Sequence, residues 1–496
     1  MNRSTKYICC VAVVLLVLAA CSWAQDDTPA PQEPSSGTVP QEPSTGAVPA
    51  ATGPDAGTQS AENPPLSGLD SPSLEPGFGA RSFLLFRAQA SDSVDTNSSG
   101  SLGSETVVRN AVRGQVSAEL QKLWKRHPLN FIYVGAGDWF SGDRRGERLF
   151  QNHIFSGEQR YLWRTGSLAL RDSFSYVPQG SFGFSSFGGV GGLTGGVGGT
   201  SGGVLSGGGI AGGVGGGVFG NGQFGSIGNH PRLTNMGIID VTQAFSARSS
   251  IVLAGGYGLT HFVGGNGGFI DSNQSVGQVG YNYQLSRKDQ LAMSYSYQQF
   301  HFPRVGAGTF NANVFQLLYG HRISGRLDLS FGGGPQWVQT SAVGLPERSY
   351  VAGSGRVSVR YLFSARTNME LTYSHYENSG SGFFAGASTN AARYSVNRSL
   401  ARRWMLMSDS GYSRSTRVLK VPTQTANNAD TYDFWYVGGG LHYQISRHLA
   451  GLANYQFDRF NFAAGFCTTT TNCDRNYSRH VGMIGINWTP GPIRLD

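Results

Sequence analysis

Few residues in this 496-residue chain have the type and spacing for covalent or metal chemistry. Cys467 and Cys473 bracket a short polar stretch. In an exported chain an even pair of this kind reads as a disulfide, with two free thiols as the alternative. No histidine or further cysteine stands at ligand spacing, which argues against a metal site. Cys21 closes the run Leu18-Ala19-Ala20-Cys21, a pattern that would place a lipid on its sulfur. His261, His301, His375 and His480 are isolated from one another, and His375 sits on a tyrosine-rich strand pattern that suits an interfacial residue better than a base. Ser354, between Gly353 and Gly355, lacks the strand-to-helix turn that would expose it as a nucleophile. The glycine-rich stretch 179–229 repeats Gly-Gly-Val but lacks the Lys-Ser/Thr and the helix of a phosphate loop. Together these residues point away from an enzyme and from any bound cofactor.

The elements that must carry the chain are set by its two ends and its periodicity. Arg3 and Lys6, the apolar run Ile8–Ala20 and the small residues around Ser22 and Ala24 form an export signal over residues 1–24. Cleavage near Ala24 and lipidation of Cys21 are both compatible with it. Residues 25–80 are rich in Pro, Ser, Thr and Gly, and Pro31–Val39 is repeated almost unchanged as Pro40–Val48. Such a segment cannot bury enough apolar area to offset its ordering entropy, so it reads as a disordered periplasmic linker.

From residue 81 to 496 the period is two. Leu291, Met293, Tyr295 and Tyr297 alternate with Ala292, Ser294, Ser296 and Gln298. Leu327, Leu329 and Phe331 oppose Asp328, Ser330 and Gly332; Met369, Leu371 and Tyr373 oppose Glu370 and Thr372. Tyr455 and Phe457 oppose Asn454, Gln456 and Asp458. Strict alternation marks half-buried strands. Links between strands alternate in length. Short basic ones share an apolar residue, Ser and then Arg, as in Phe245-Ser246-Ala247-Arg248, Ile323-Ser324-Gly325-Arg326 and Phe363-Ser364-Ala365-Arg366. Long polar ones include 138–149, 261–274, 417–430 and 463–476. That sorting, with only 14% charged residues and 72 glycines, predicts an all-β, antiparallel transmembrane barrel of about 18 strands, with 16 as the alternative. In hydrocarbon an open sheet edge leaves backbone groups unpaired, so the sheet must close.

Closure sorts the side chains. Tyr295, Tyr297, Phe331, Tyr373, Tyr376, Tyr455 and Phe457 are expected on the lipid side, and Ser294, Ser296, Asp328, Ser330, Glu370, Thr372, Asn454, Gln456 and Asp458 along the pore. The net charge of +8 is scattered over turns rather than gathered in a stripe, which excludes nucleic acid as a partner. The stretch 179–229 is expected either as an external loop or folded into the pore.

The run Gly280–Lys288, followed by alternating Ser and Tyr, and the run Ser167–Pro178, leading into the glycine-rich stretch, resemble uncharacterised porin-like outer-membrane barrels of Gram-negative bacteria. The resemblance covers roughly residues 82–488 and implies a bacterial outer-membrane location, insertion by the barrel-assembly machinery and contact with outer-membrane lipid. Trp488, rather than the last residue, is the final aromatic, which departs from the usual assembly signal. The expected function is passive diffusion of small hydrophilic solutes through a monomer or homo-trimer. The alternative is a surface-interaction protein, an adhesin or an accessory export barrel.

Overall fold

In a computed structural model, the described residues are 82–96, 108–124, 126–141, 149–177, 232–246, 248–263, 270–286, 288–303, 308–324, 326–341, 346–364, 366–378, 384–418, 431–462 and 477–495. The expected export signal and linker, Cys21, the stretch 179–229 and the Cys467–Cys473 pair lie outside them. Eighteen strands make one antiparallel sheet: β1 (Phe83–Asp95), β2 (Arg109–Lys122), β3 (Leu129–Phe140), β4 (Leu149–Trp163), β5 (Gly166–Val177), β6 (Arg232–Ala244), β7 (Ser249–Phe262), β8 (Ser272–Gln284) and β9 (Asp289–Phe302). The second half is β10 (Gly308–Ser324), β11 (Leu327–Ser341), β12 (Arg348–Ser364), β13 (Thr367–Asn378), β14 (Ala387–Ala401), β15 (Trp404–Arg417), β16 (Thr431–Gln444), β17 (Leu449–Phe462) and β18 (Tyr477–Trp488). Each strand pairs with the next, and β18 returns to β1 from Ala88↔Trp488 to Asp95↔Val481. The ring is closed, with 18 strands rather than 16. Beyond Trp488 the chain continues along β1, where Ile493–Arg494 pairs with Phe83 and Leu84 and Lys122 Nζ donates to the Leu495 carbonyl at 2.9 Å.

The serine of each short link has a local job. Ser246, Ser286, Ser324, Ser364 and Ser446 each accept, through Oγ, the backbone N–H two residues on, at 3.0–3.4 Å. A serine that bonds its own turn competes with ladder pairing and so terminates the strand. The arginine or lysine that often follows is exposed at the rim. The recurring motif is therefore a hairpin stop signal.

Closure also demands close approach at the seam. A Cβ built on Gly485 would stand 2.8 Å from the Ala90 carbonyl oxygen and 2.7 Å from Ser91 Cβ, so only glycine lets β18 lie against β1 there. A second glycine, Gly386, has φ +82° and turns the chain into β14.

The two faces of the wall differ as lipid and lumen require. Outward positions carry exposed apolar side chains, among them Met293, Tyr295, Leu317, Phe331, Leu371, Tyr373 and Tyr455. Aromatics concentrate at the turn-proximal rim, where Trp163, Tyr361, Trp404 and Trp488 stand and Trp404 packs on Tyr443 at 4.5 Å between ring centroids. Outward tyrosines satisfy their hydroxyls on the neighbouring strand: Tyr295 on Asn313 at 2.6 Å, Tyr373 on Asn390 at 2.9 Å and Tyr412 on Asp433 at 2.8 Å. A closed ring of even strand number with this greasy exterior is a transmembrane barrel of the outer-membrane type. Tyr376 corrects one expectation. It pairs with Thr389, a buried inner-wall residue, and stands three residues from Tyr373, so period two puts the two tyrosines on opposite faces.

Candidate functional site

Among the described residues, the inner wall is a continuous surface that faces the interior of the ring. Alternation on β9 turns Ser294 and Ser296 inward between exposed Met293, Tyr295 and Tyr297. On β17, Asn454, Gln456 and Asp458 are buried opposite exposed Tyr455, and Gln456 Nε2 donates to Asp458 Oδ1 at 2.5 Å. Asp328 and Ser330 on β11 and Glu370 and Thr372 on β13 are half-buried. Register unites these last four through β12: Asp328↔Arg360↔Glu370 forms one rung and Ser330↔Ser358↔Thr372 the next. Arg322 extends the first rung, its Nε donating to Asp328 Oδ1 at 2.8 Å. The nine predicted positions are therefore not one cluster. Two acids are interleaved with two arginines on β10–β13, the two serines lie further along the wall on β9, opposite Gln316 and Val314, and the β17 trio belongs to a second network.

That second network crosses the seam. Arg479 on β18, 2% exposed, donates Nε to both oxygens of Asp95 on β1 at 3.0 Å and Nη2 to Oδ2 at 2.5 Å. The planar fork matches a carboxylate at two points, which also fixes orientation. Asp458 is the direct register partner of Arg479 on the other side, and Tyr436 is the partner of Asp458. Tyr436 Oη donates to Asp409 Oδ1 at 2.6 Å, and Asp409 also accepts from Arg393. Arg393, Asp409, Tyr436, Asp458, Arg479 and Asp95 thus run across six consecutive strands, β14 to β18 and β1. A third set lies across the ring on β4–β6, where Arg171 meets Asp240 and Glu158, and Arg160 bonds Glu158. Buried ions persist only when paired, because each forfeits its hydration. The sequence shows these arginines but not most of their partners: Arg160 bonds Glu158 on its own strand, but Arg171 reaches Asp240 and Arg479 reaches Asp95 on strands far away in the chain.

Toward the ends of the strands remote from the short turns, the inner wall becomes apolar. Phe300, Phe302, Phe310, Ala312 and Val338 are fully buried members of one cluster. Phe434 and Phe460 pack with their rings tilted, centroids 4.3 Å apart, and Arg417 lies 4.9 Å above the Phe384 ring. The expected inner face was polar and small throughout, so this belt is a correction. One signal was present: on β9 the apolar set shifts from odd to even positions between Tyr297 and Phe300, with Gln299 and His301 taking the odd positions.

Ser354, His375, His480 and His261, weighed for chemistry, have structural partners. Ser354 Oγ accepts from Gln316 Nε2 at 3.0 Å and donates to the Gly334 carbonyl at 3.2 Å. His375 Nδ1 contacts Asn390 at 2.9 Å, His480 contacts Tyr455 at 2.8 Å, and His261 meets Asp271 at 2.9 Å. Among the described residues no group of three or more His, Cys, Asp or Glu is placed to hold a metal ion.

No protein-family model matches the chain, and no curated protein sequence matches it significantly. Solved structures are similar at low identity. OpdK, an outer membrane protein from Pseudomonas aeruginosa, aligns at 9% identity over 83% of this chain and 100% of its own, with a TM-score of 0.42. OccK2 (OpdF) from the same organism aligns at 9% over 82% and 98%, with a TM-score of 0.40. The FrpB iron transporter from Neisseria meningitidis aligns at 7% over 83% and 82%, with a TM-score of 0.40. Similarity this distant carries nothing about solute or mechanism.

Proposed function

We propose that this barrel lets small hydrophilic solutes cross the bacterial outer membrane by passive diffusion. The observation that carries the reading is the inner wall itself. Fixed cations and anions are paired along it, Arg393 with Asp409 and Arg479 with Asp95 on one side and Arg171 with Asp240 and Glu158 on the other, in a ring of 18 strands. A ring that wide exceeds what its own side chains fill. Paired charges on the wall offer hydrogen bonds to a hydrated solute and none to an apolar one. The apolar belt beyond them narrows the choice further, since it favours solutes with a small apolar face. On this reading the barrel-assembly machinery inserts the chain, as a monomer or a homo-trimer.

Purified, folded barrel added to a planar bilayer should give discrete conductance steps, and proteoliposomes should swell in small neutral and zwitterionic solutes. Quiet bilayers, from protein that shows the heat-modifiable gel shift of a closed barrel, would overturn the reading.

A further inference from the structure

Midway along the first two strands the inner wall holds a row of carboxamides with nothing to bond. Gln89 on β1 is the direct register partner of Gln115 on β2 and of Asn487 on β18, so three amides stand side by side across the seam. Gln89 is 4% exposed and Gln115 3% exposed, yet neither amide has a partner at its oxygen or at its nitrogen. The Oδ1 of Asn487 and the Oγ of Ser91, one rung above Gln89, are unpartnered as well. A buried amide in this state has given up its bonds to water without replacement. Folded proteins keep few such groups, and several on adjoining strands call for an occupant.

The surroundings define the chemistry of that occupant. The charges above and below the row are matched within the wall: Arg113 lies 3.4 Å from Asp138, and Arg87 lies 3.0 Å from Glu119. No net charge is left for an ionic ligand. Each carboxamide offers two donors and an acceptor. Vicinal hydroxyls, which both donate and accept, complement a row of such groups. Both amides are buried, so to meet a solute the two glutamine side chains must rotate toward the lumen. Val134 and Ala136 border the row on β3, as register partners of Ser117 and Gln115, and suit the C–H face of a sugar ring.

We propose that Gln89, Gln115 and Asn487, with Ser91, form a binding subsite for a neutral saccharide inside the barrel. The inference deepens the diffusion reading and rests on it only in needing a lumen open to solute. The test is equilibrium binding to the intact barrel in detergent micelles, by titration calorimetry and saturation-transfer NMR, with maltose and with its carboxylate counterpart maltobionate. Wild-type barrel should bind maltose at least tenfold more tightly than maltobionate. The double variant Gln89→Leu/Gln115→Leu should weaken maltose binding at least tenfold while keeping the heat-modifiable shift. Gln115→Met, close in shape, should lose part of the affinity and guards against a folding defect in the double variant. Maltose binding that is absent, or equal in wild type and variants, overturns the subsite and leaves the row to water. Equal binding of maltobionate overturns its neutral specificity. A barrel that binds maltose but conducts nothing sinks the diffusion reading alone; one that conducts but ignores maltose sinks the subsite alone.

Discussion

The lipid-facing assignment makes a prediction that varies with depth along one strand. Leu317 on β10 is exposed, sits near the middle of its strand and pairs with Met293, another outward residue. Ile323, six positions further along, is equally outward but lies at the short-turn rim. Six residues at about 3.3 Å each, on a strand tilted about 40°, separate the two by roughly 15 Å along the membrane normal. That is about half of a hydrocarbon core roughly 30 Å thick, so a mid-bilayer Leu317 puts Ile323 at the interface. Leu317→Arg should then cost about 2–4 kcal/mol and Ile323→Arg no more than about 1 kcal/mol. At about 1.4 kcal/mol per decade, the first lowers the folded-to-unfolded ratio by roughly 30-fold to 1,000-fold, and the second by less than about tenfold. The assay is reversible guanidinium unfolding in phosphatidylcholine vesicles, followed by tryptophan emission and by the gel shift of the closed barrel. Equal losses at the two positions, or a neutral Leu317→Arg, would show that lipid does not cover this face.

Two further outcomes test the seam. Asp95→Ala removes the carboxylate that Arg479 grips. It should destabilise the barrel by about 3 kcal/mol, the low end for an orphaned buried charge because Asp458 flanks the same guanidinium. Adding Arg479→Met should restore part of that loss, and a double variant less stable than Asp95→Ala would contradict the pairing. Gly485→Val places side-chain atoms against the Ala90 carbonyl and should cost about 1–3 kcal/mol and impair closure. Gly482→Ala, whose Cβ meets nothing within 4 Å, should be close to neutral in the same gel-shift titration; similar behaviour of the two would remove the close-approach argument.

Much of this architecture was legible in the chain because a membrane wall is written locally. Alternation of period two, as in Leu291 to Gln298, fixes which side chains face lipid. The Ser-x-Arg stops fix where strands end, since Ser286 and its counterparts bond their own turns. Sorting of short and long links fixes the even strand count. Each of these features is decided within a few residues, and the solvent outside is uniform, so one rule serves every strand. The lumen has no uniform solvent. Whether Arg479 is matched depends on Asp95, at the opposite end of the chain, and whether Phe300 packs depends on Phe310 and Val338 around the curve. Tyr376 and the apolar inner belt misled a reading by periodicity because both faces of a strand can be greasy once a neighbour covers the inner one. The sequence by itself determined an antiparallel wall with a lipid side and a set of turns. Ring closure decided which charges neutralise each other and which amides stay unpartnered, because those contacts join residues that only the register of β18 on β1 brings together.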